Sequence, residues 1–97
     1  MPTYERLPRF DRDYKALSAE PKEAFRQAVR KFVEDLEAGK GFRRSLRVKG
    51  IQRAEGVFEL TWAKKGRATF GYGEPVREGE IHIVWRRLGT HDVFETP

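Results

Sequence analysis

Ninety-seven residues carrying 20 Lys and Arg against 15 Asp and Glu, a formal charge of +5, describe one domain (1–97) large enough to bury a single core without staples. The absence of cysteine excludes disulfides, thiolate metal sites and a thiol nucleophile. Met1–Arg6 holds no apolar signal region and no apolar run approaches membrane-spanning length, so a soluble, cytoplasmic protein is expected.

In chain order, the segment from Tyr4 to Phe10, interrupted by Pro8, predicts an N-terminal edge strand. Asp11 then caps a short helix whose apolar residues, Tyr14 and Leu17, share one face. Ser18 to Pro21 is a helix-start signal, because proline is tolerated in the first turn where its missing amide has no intrahelical partner. Phe25, Ala28, Val29, Phe32, Val33 and Leu36 follow as one apolar stripe, and Gly39 is a natural left-handed stop. So short a link between the helices predicts an antiparallel hairpin, joined through that stripe and the Phe10/Tyr14/Leu17 face.

Beyond Gly41 the period changes from helical to alternating. Phe58, Leu60 and Trp62 alternate with Glu59 and Thr61, and Lys64-Lys65-Gly66 is a tight turn. Ala68, Phe70 and Tyr72 alternate with Arg67, Thr69 and Gly71; Ile81, Ile83 and Trp85 alternate with His82, Val84 and Arg86. Short loops make these runs a three-stranded antiparallel meander. A meander of this size needs cover for its apolar face, so the fold class is α+β: an edge strand, then a two-helix hairpin packed on the meander, with the opposite face free for a partner.

Charge is distributed unevenly. Lys40, Arg43, Arg44, Arg47, Lys49 and Arg53 fall in one stretch with no acid among them, whereas the acids gather in Glu34, Asp35 and Glu37 and in Glu74, Glu78 and Glu80. A one-signed stretch within a mixed surface points to a phosphate-bearing partner, and the chemistry below makes these six the candidate RNA-binding residues; a solvated basic loop is the plainer reading.

Both histidines lie near the C-terminal end. His82 is mid-strand and reads as a half-covered sheet residue. His91 follows Gly89-Thr90 at a strand end, where an imidazole is solvent-reachable and exchanges protons at physiological pH. Two histidines without a third nitrogen or sulfur ligand make no zinc site, and contiguous Thr90-His91-Asp92 cannot form a nucleophile–base–orienter array, so no metal or cofactor is expected. The remaining residue set suits metal-free phosphodiester chemistry. RNA supplies its own nucleophile, the 2′-hydroxyl, and the protein supplies a base, an acid and guanidinium groups for the developing charge. His91, Arg67 and one of Arg86 and Arg87 meet part of that requirement, since strand neighbours point to opposite faces. Glu59 is a second candidate base, or an ion-pair partner of a neighbouring arginine.

These residues resemble a known family. The order strand, two helices, meander, with Ser45-Leu-Arg-Val-Lys-Gly50 before an aromatic-starting strand, resembles the RelE/ParE superfamily of toxins from toxin–antitoxin modules. Gly66-Arg-Ala-Thr-Phe-Gly-Tyr72 is similar to the family's second meander strand, and Arg86-Arg-Leu-Gly-Thr-His91 with Phe94 is similar to the C-terminus of its YafQ-like branch. The resemblance implies a metal-independent mRNA endoribonuclease, often acting on ribosome-engaged message and neutralised by a cognate antitoxin. It gives His91 the role of catalytic histidine and Arg87 that of phosphate-stabilising arginine; it sets Arg67 near a second-strand arginine, with Phe94 as the terminal aromatic. The chain departs from the pattern in having no histidine before His82, in carrying Glu59 and Thr61 where RelE-type members place lysines, and in the closer spacing of Phe94 to His91. Two other readings stay open: a ParE-like binder of DNA gyrase that needs no catalytic histidine, and an inactive RNA- or antitoxin-binding relative.

Overall fold

The computed structural model describes residues 2–97, the side chain of His91 excepted. Its elements are β1 (Thr3–Arg6), α1 (Pro8–Lys15), α2 (Ala19–Ala38), a helical turn at Arg44–Leu46, β2 (Lys49–Gly50), β3 (Val57–Thr61), β4 (Arg67–Gly73), β5 (His82–Gly89) and a C-terminal turn at His91–Phe94. The strands form one five-stranded sheet in the order β1-β5-β4-β3-β2, with β1 parallel to β5 and every other pair antiparallel.

The expected α+β layout holds, with two adjustments. The meander gains a short fourth partner, β2, which sets Lys49 opposite Glu59 and Gly50 opposite Phe58. The first strand stops at Arg6, earlier than expected, because Pro8 occupies the first turn of α1, where its fixed φ suits the helix. Phe10 therefore belongs to a helix. The N-cap position falls on Leu7, and Asp11, inside the first turn, pairs with Arg6 at 3.2 Å. The second helix begins after Ser18 and ends at Gly39, whose φ of 69° is the left-handed conformation that glycine adopts without a Cβ clash.

Core packing follows the predicted stripes. Phe10, Phe25, Ala28 and Phe32 from the helices meet Leu60, Ala68, Phe70, Ile83, Trp85 and Leu88 from the sheet. Phe10 and Phe25, with ring centroids 5.8 Å apart, join the two helices, and Phe32 meets Phe70 edge-on at 5.0 Å. Gly66 is required by its turn: a Cβ there would lie 2.5 Å from the Trp62 ring.

Alternation breaks in β5. Thr69 is registered with Arg87 and Phe70 with Trp85, so Arg86 is an extra residue, a β-bulge. The bulge returns Leu88 to the core face already occupied by Trp85, and both are buried. It also departs from the strict alternation that would let only one of Arg86 and Arg87 share a face. Arg86 Nε donates to the Pro97 carbonyl at 2.9 Å, while Arg87 Nη1 donates to Thr96 Oγ1 at 2.8 Å, so both engage the same C-terminal segment.

That segment also corrects the picture of a free second face. Val93 is buried, the fully buried Thr69 donates its hydroxyl to the Pro97 carbonyl at 3.2 Å, and a Cβ on Gly89 would touch Val93 at 3.2 Å. The β4–β5 end of the face is therefore roofed by residues 91–97. At the opposite end of β5, His82 is buried and lies 2.7 Å from Thr3 Oγ1 and 2.9 Å from Glu5 Oε1. It ties β1 to β5 through both ring nitrogens, a structural role.

Candidate nucleic-acid interface and the working end of the sheet

By backbone position, three of the predicted residues stand at one end of β4 and β5. Arg67 is registered with Gly89 and Thr69 with Arg87, so Arg67 and Arg87 lie on adjacent strands just below the Gly89-Thr90-His91 exit. His91 opens the C-terminal turn; its side chain lies outside the described residues. Phe94, half-buried, closes the same turn, and Thr90 Oγ1 donates to Asp92 Oδ1 at 2.7 Å within it.

The two arginines are held differently. Arg67 Nη1 donates to the carbonyls of Gly66 at 2.9 Å and of Ala63 and Lys64 at 3.3 Å, which fastens the β3–β4 turn and leaves its charge uncompensated by a carboxylate among the described residues. Arg87 Nε donates to Asp13 Oδ2 at 2.8 Å, and the pair is mostly covered, with side chains 21% and 19% exposed. The same Asp13 oxygen accepts the Leu88 amide at 3.0 Å. The cause is topological: β1 stops at Arg6, so beyond Trp85 the outer edge of β5 has no strand partner, and α1 supplies Asp13 instead. Arg87 is thus a fixed guanidinium, oriented by Asp13 on one side and Thr96 on the other.

Of the basic stretch, Lys40, Arg44, Arg47, Lys49 and Arg53 are exposed. Lys49 stands 3.9 Å from Glu59, so the ion pair of Glu59 is with a lysine of β2 and not with the neighbouring arginine expected. Arg43 departs from its expected place in the RNA surface: it is clasped by α2, with Nη2 at 2.9 Å from Asp35 Oδ1 and 3.0 Å from Glu34 Oε1. The Arg43 side chain and backbone amide hold the Asp35 carboxyl below the usual carboxylate range, and Asp35 with Glu34 holds the guanidinium charged.

Sequence reasoning missed Asp13 and Asp35 as the groups that position arginines. Asp13 lies 74 residues from Arg87, beyond any local pattern. It also missed a basic cleft of about 500 Å³ between α2, the Arg44–Leu46 turn and the β3–β4 turn, where Lys31 and Lys64 join Arg47 and Arg67.

With this geometry in place, comparison with solved structures is decisive for the fold. The chain superposes on YafQ of the Escherichia coli DinJ-YafQ toxin–antitoxin complex with a TM-score of 0.64 and 12% identity, covering 95% of this chain and 94% of that one. The fold is that of the RelE-type toxins. The RelB-RelE antitoxin–toxin complex of Methanococcus jannaschii gives a TM-score of 0.59 at 13% identity over 95% of this chain and 98% of that one. A Helicobacter pylori toxin gives 0.62 at 10% identity over 96% and 98%. No family model matches the sequence, and no curated protein does so significantly. The RelE-type likeness therefore rests on three-dimensional arrangement, with sequence agreement confined to a few positions.

Proposed function

We propose that this chain is the toxin of a type II toxin–antitoxin module and that it cleaves mRNA without a metal. The observation that carries the proposal is that Arg67, Arg87 and the Gly89-Thr90-His91 exit share one sheet end, by backbone register, in a RelE-type fold. In this mechanism the substrate 2′-hydroxyl attacks the adjacent phosphorus, and the 5′-oxygen leaves. His91 takes the proton of the 2′-hydroxyl, the departing 5′-oxygen is protonated by the resulting imidazolium or by water, and Arg87, pre-oriented by Asp13, with Arg67 meets the charge on the phosphoryl oxygens. Phe94 offers a ring for base stacking, and Lys40, Arg44, Arg47, Lys49, Arg53 and Arg86 contribute positive potential toward the RNA backbone. The message is free or ribosome-engaged, and on this reading the toxin acts in the cytoplasm, where message is translated; among the described residues no helix is long and apolar enough to cross a membrane. The natural inhibitor is a cognate antitoxin with an acidic or amphipathic segment, as the DinJ-YafQ and RelB-RelE pairings of the structural neighbours suggest.

The test is induction in a heterologous host with primer-extension mapping of message. His91→Ala is expected to abolish growth arrest and reduce cleavage by about a hundredfold or more while the protein remains folded. Full toxicity in both His91→Ala and Arg87→Lys would eliminate this mechanism. One observation favours a second reading: Arg87 is already paired with Asp13, which suits a binding surface as well as a catalytic one. A ParE-like gyrase poison would inhibit supercoiling in vitro and leave message intact.

A further inference from the structure

The basic cleft beside the β3–β4 turn shares only Arg67 and Arg47 with the function proposed above. Its walls are Gln27 and Lys31 of α2, Ser45 and Arg47 of the helical turn, Thr61 and Trp62 of β3 and its exit, and Lys64 and Arg67 of the following turn. No acid lines it, and among the described residues neither Lys31, Arg47 nor Lys64 pairs with a carboxylate. The reason is visible on α2: Glu34 and Asp35, the acids closest to Lys31 in sequence, are consumed by Arg43.

Two further features mark this wall. Among the described residues, neither the buried Thr61 Oγ1 nor the buried Trp62 Nε1 has a protein hydrogen-bond partner, an uncommon state for polar atoms in a folded protein. Arg47 adopts a left-handed backbone with φ of 47°, rare for a residue with a side chain and frequent where a chain is held for function. Both lie on residues of the same cleft.

We propose that this cleft binds the phosphate backbone of single-stranded RNA next to the scissile position. Arg67 is the bridge: it lines the cleft and is registered with Gly89, two residues before His91. A strand lying in the cleft is thereby delivered over Arg67 to the catalytic end. Four cations and no acid exceed what a single carboxylate of a peptide would call for, and they match consecutive phosphates. The RNA assignment rests on the function proposed above, whereas the binding itself does not require cleavage.

The test therefore measures binding to a short 2′-O-methylated single-stranded RNA, which cannot cleave itself. For wild type, the Lys31→Gln/Lys64→Gln double variant and the triple variant that adds Arg47→Gln, the affinity is followed against salt concentration. Each lost phosphate contact lowers the slope of log affinity against log salt by about 0.7. The double variant is expected to lose about 1.4 of slope and the triple about 2.1, with at least tenfold weaker binding at low salt. A control triple variant of equal charge, Arg12→Gln/Lys15→Gln/Arg77→Gln, is expected to bind within twofold of wild type. Unchanged slopes in the cleft variants, or equal losses in the control, overturn the proposal. Should Arg47→Gln fail to fold because of its backbone, the double variant alone decides. An unmodified RNA assayed in parallel separates the two ideas: binding without cleavage by wild type refutes the nuclease and retains the cleft, and cleavage untouched by the cleft variants does the reverse.

Discussion

Asp13 holds more of the sheet together than its place in a short surface helix suggests. One carboxylate oxygen accepts both the Arg87 guanidinium at 2.8 Å and the Leu88 amide at 3.0 Å, where β5 has run past its strand partner. Asp13→Ala removes both bonds and strands a backbone donor, so it should cost about 3 kcal/mol in urea unfolding, against about 2 kcal/mol for Arg87→Ala. A larger loss for Arg87→Ala would contradict this division of roles. Asp35 provides a pH-dependent counterpart. Arg43 depresses its folded pKa below the ordinary 3.8, so the unfolded chain takes up the proton first as pH falls. The stabilisation is fully present above the unfolded value and disappears as pH drops through the lower, folded one. Comparing urea midpoints at neutral pH and near pH 3, wild type should lose more stability than Asp35→Asn; an equal loss in both would show that the ion pair contributes nothing.

Among the elements, β5 and the turn after it decide what the working end is. The bulge at Arg86 twists the strand and sends two successive arginines toward one C-terminal segment. That segment is anchored by a buried apolar side chain, Val93, set against Gly89. Val93→Ala is expected to cost about 2 kcal/mol, and to do so mostly locally. Hydrogen exchange should accelerate in the amides of residues 91–97 and not in β4. With His91 carried on the same turn, RNA cleavage should fall in parallel. Retained protection of the turn amides in the variant would mean that the hydrogen bonds to Thr96 and Pro97 suffice to hold it.

For the molecule as a whole, the parallel pair between β1 and β5 joins the first strand of the chain to the last. No subset of elements completes the sheet without both ends, and the helices share one aromatic core with it. Unfolding should therefore be a single cooperative transition. Fluorescence of Trp62 and Trp85, which sit at different depths of that core, and far-ultraviolet circular dichroism should give coincident urea curves. Separated curves would indicate that β1 or the helix hairpin detaches early. At this scale too the formal charge of +5 acquires a place: the cations without a carboxylate partner among the described residues include those lining a cleft without acids beside the β3–β4 turn.

The sequence by itself determined whatever local chemistry dictates. The bounds of α2 come from Ser18, Pro21, the apolar stripe and Gly39, and the meander comes from period-two alternation, because both signals are written in neighbouring residues. The Gly89-Thr90-His91 exit was legible for the same reason. Pro8 was not, because a proline ends a strand and opens a helix with equal ease, and the choice rests on the packing of Phe10 against α2 and the sheet. Only the tertiary structure decided which charges are spent. Arg43 falls to Asp35, Arg87 to Asp13 and Glu59 to Lys49, whereas Lys31 and Lys64 come forward to line a cleft with Arg47 and Arg67. Ion pairing and clefts depend on distances between residues remote in the chain, and those distances exist only after the core has fixed them.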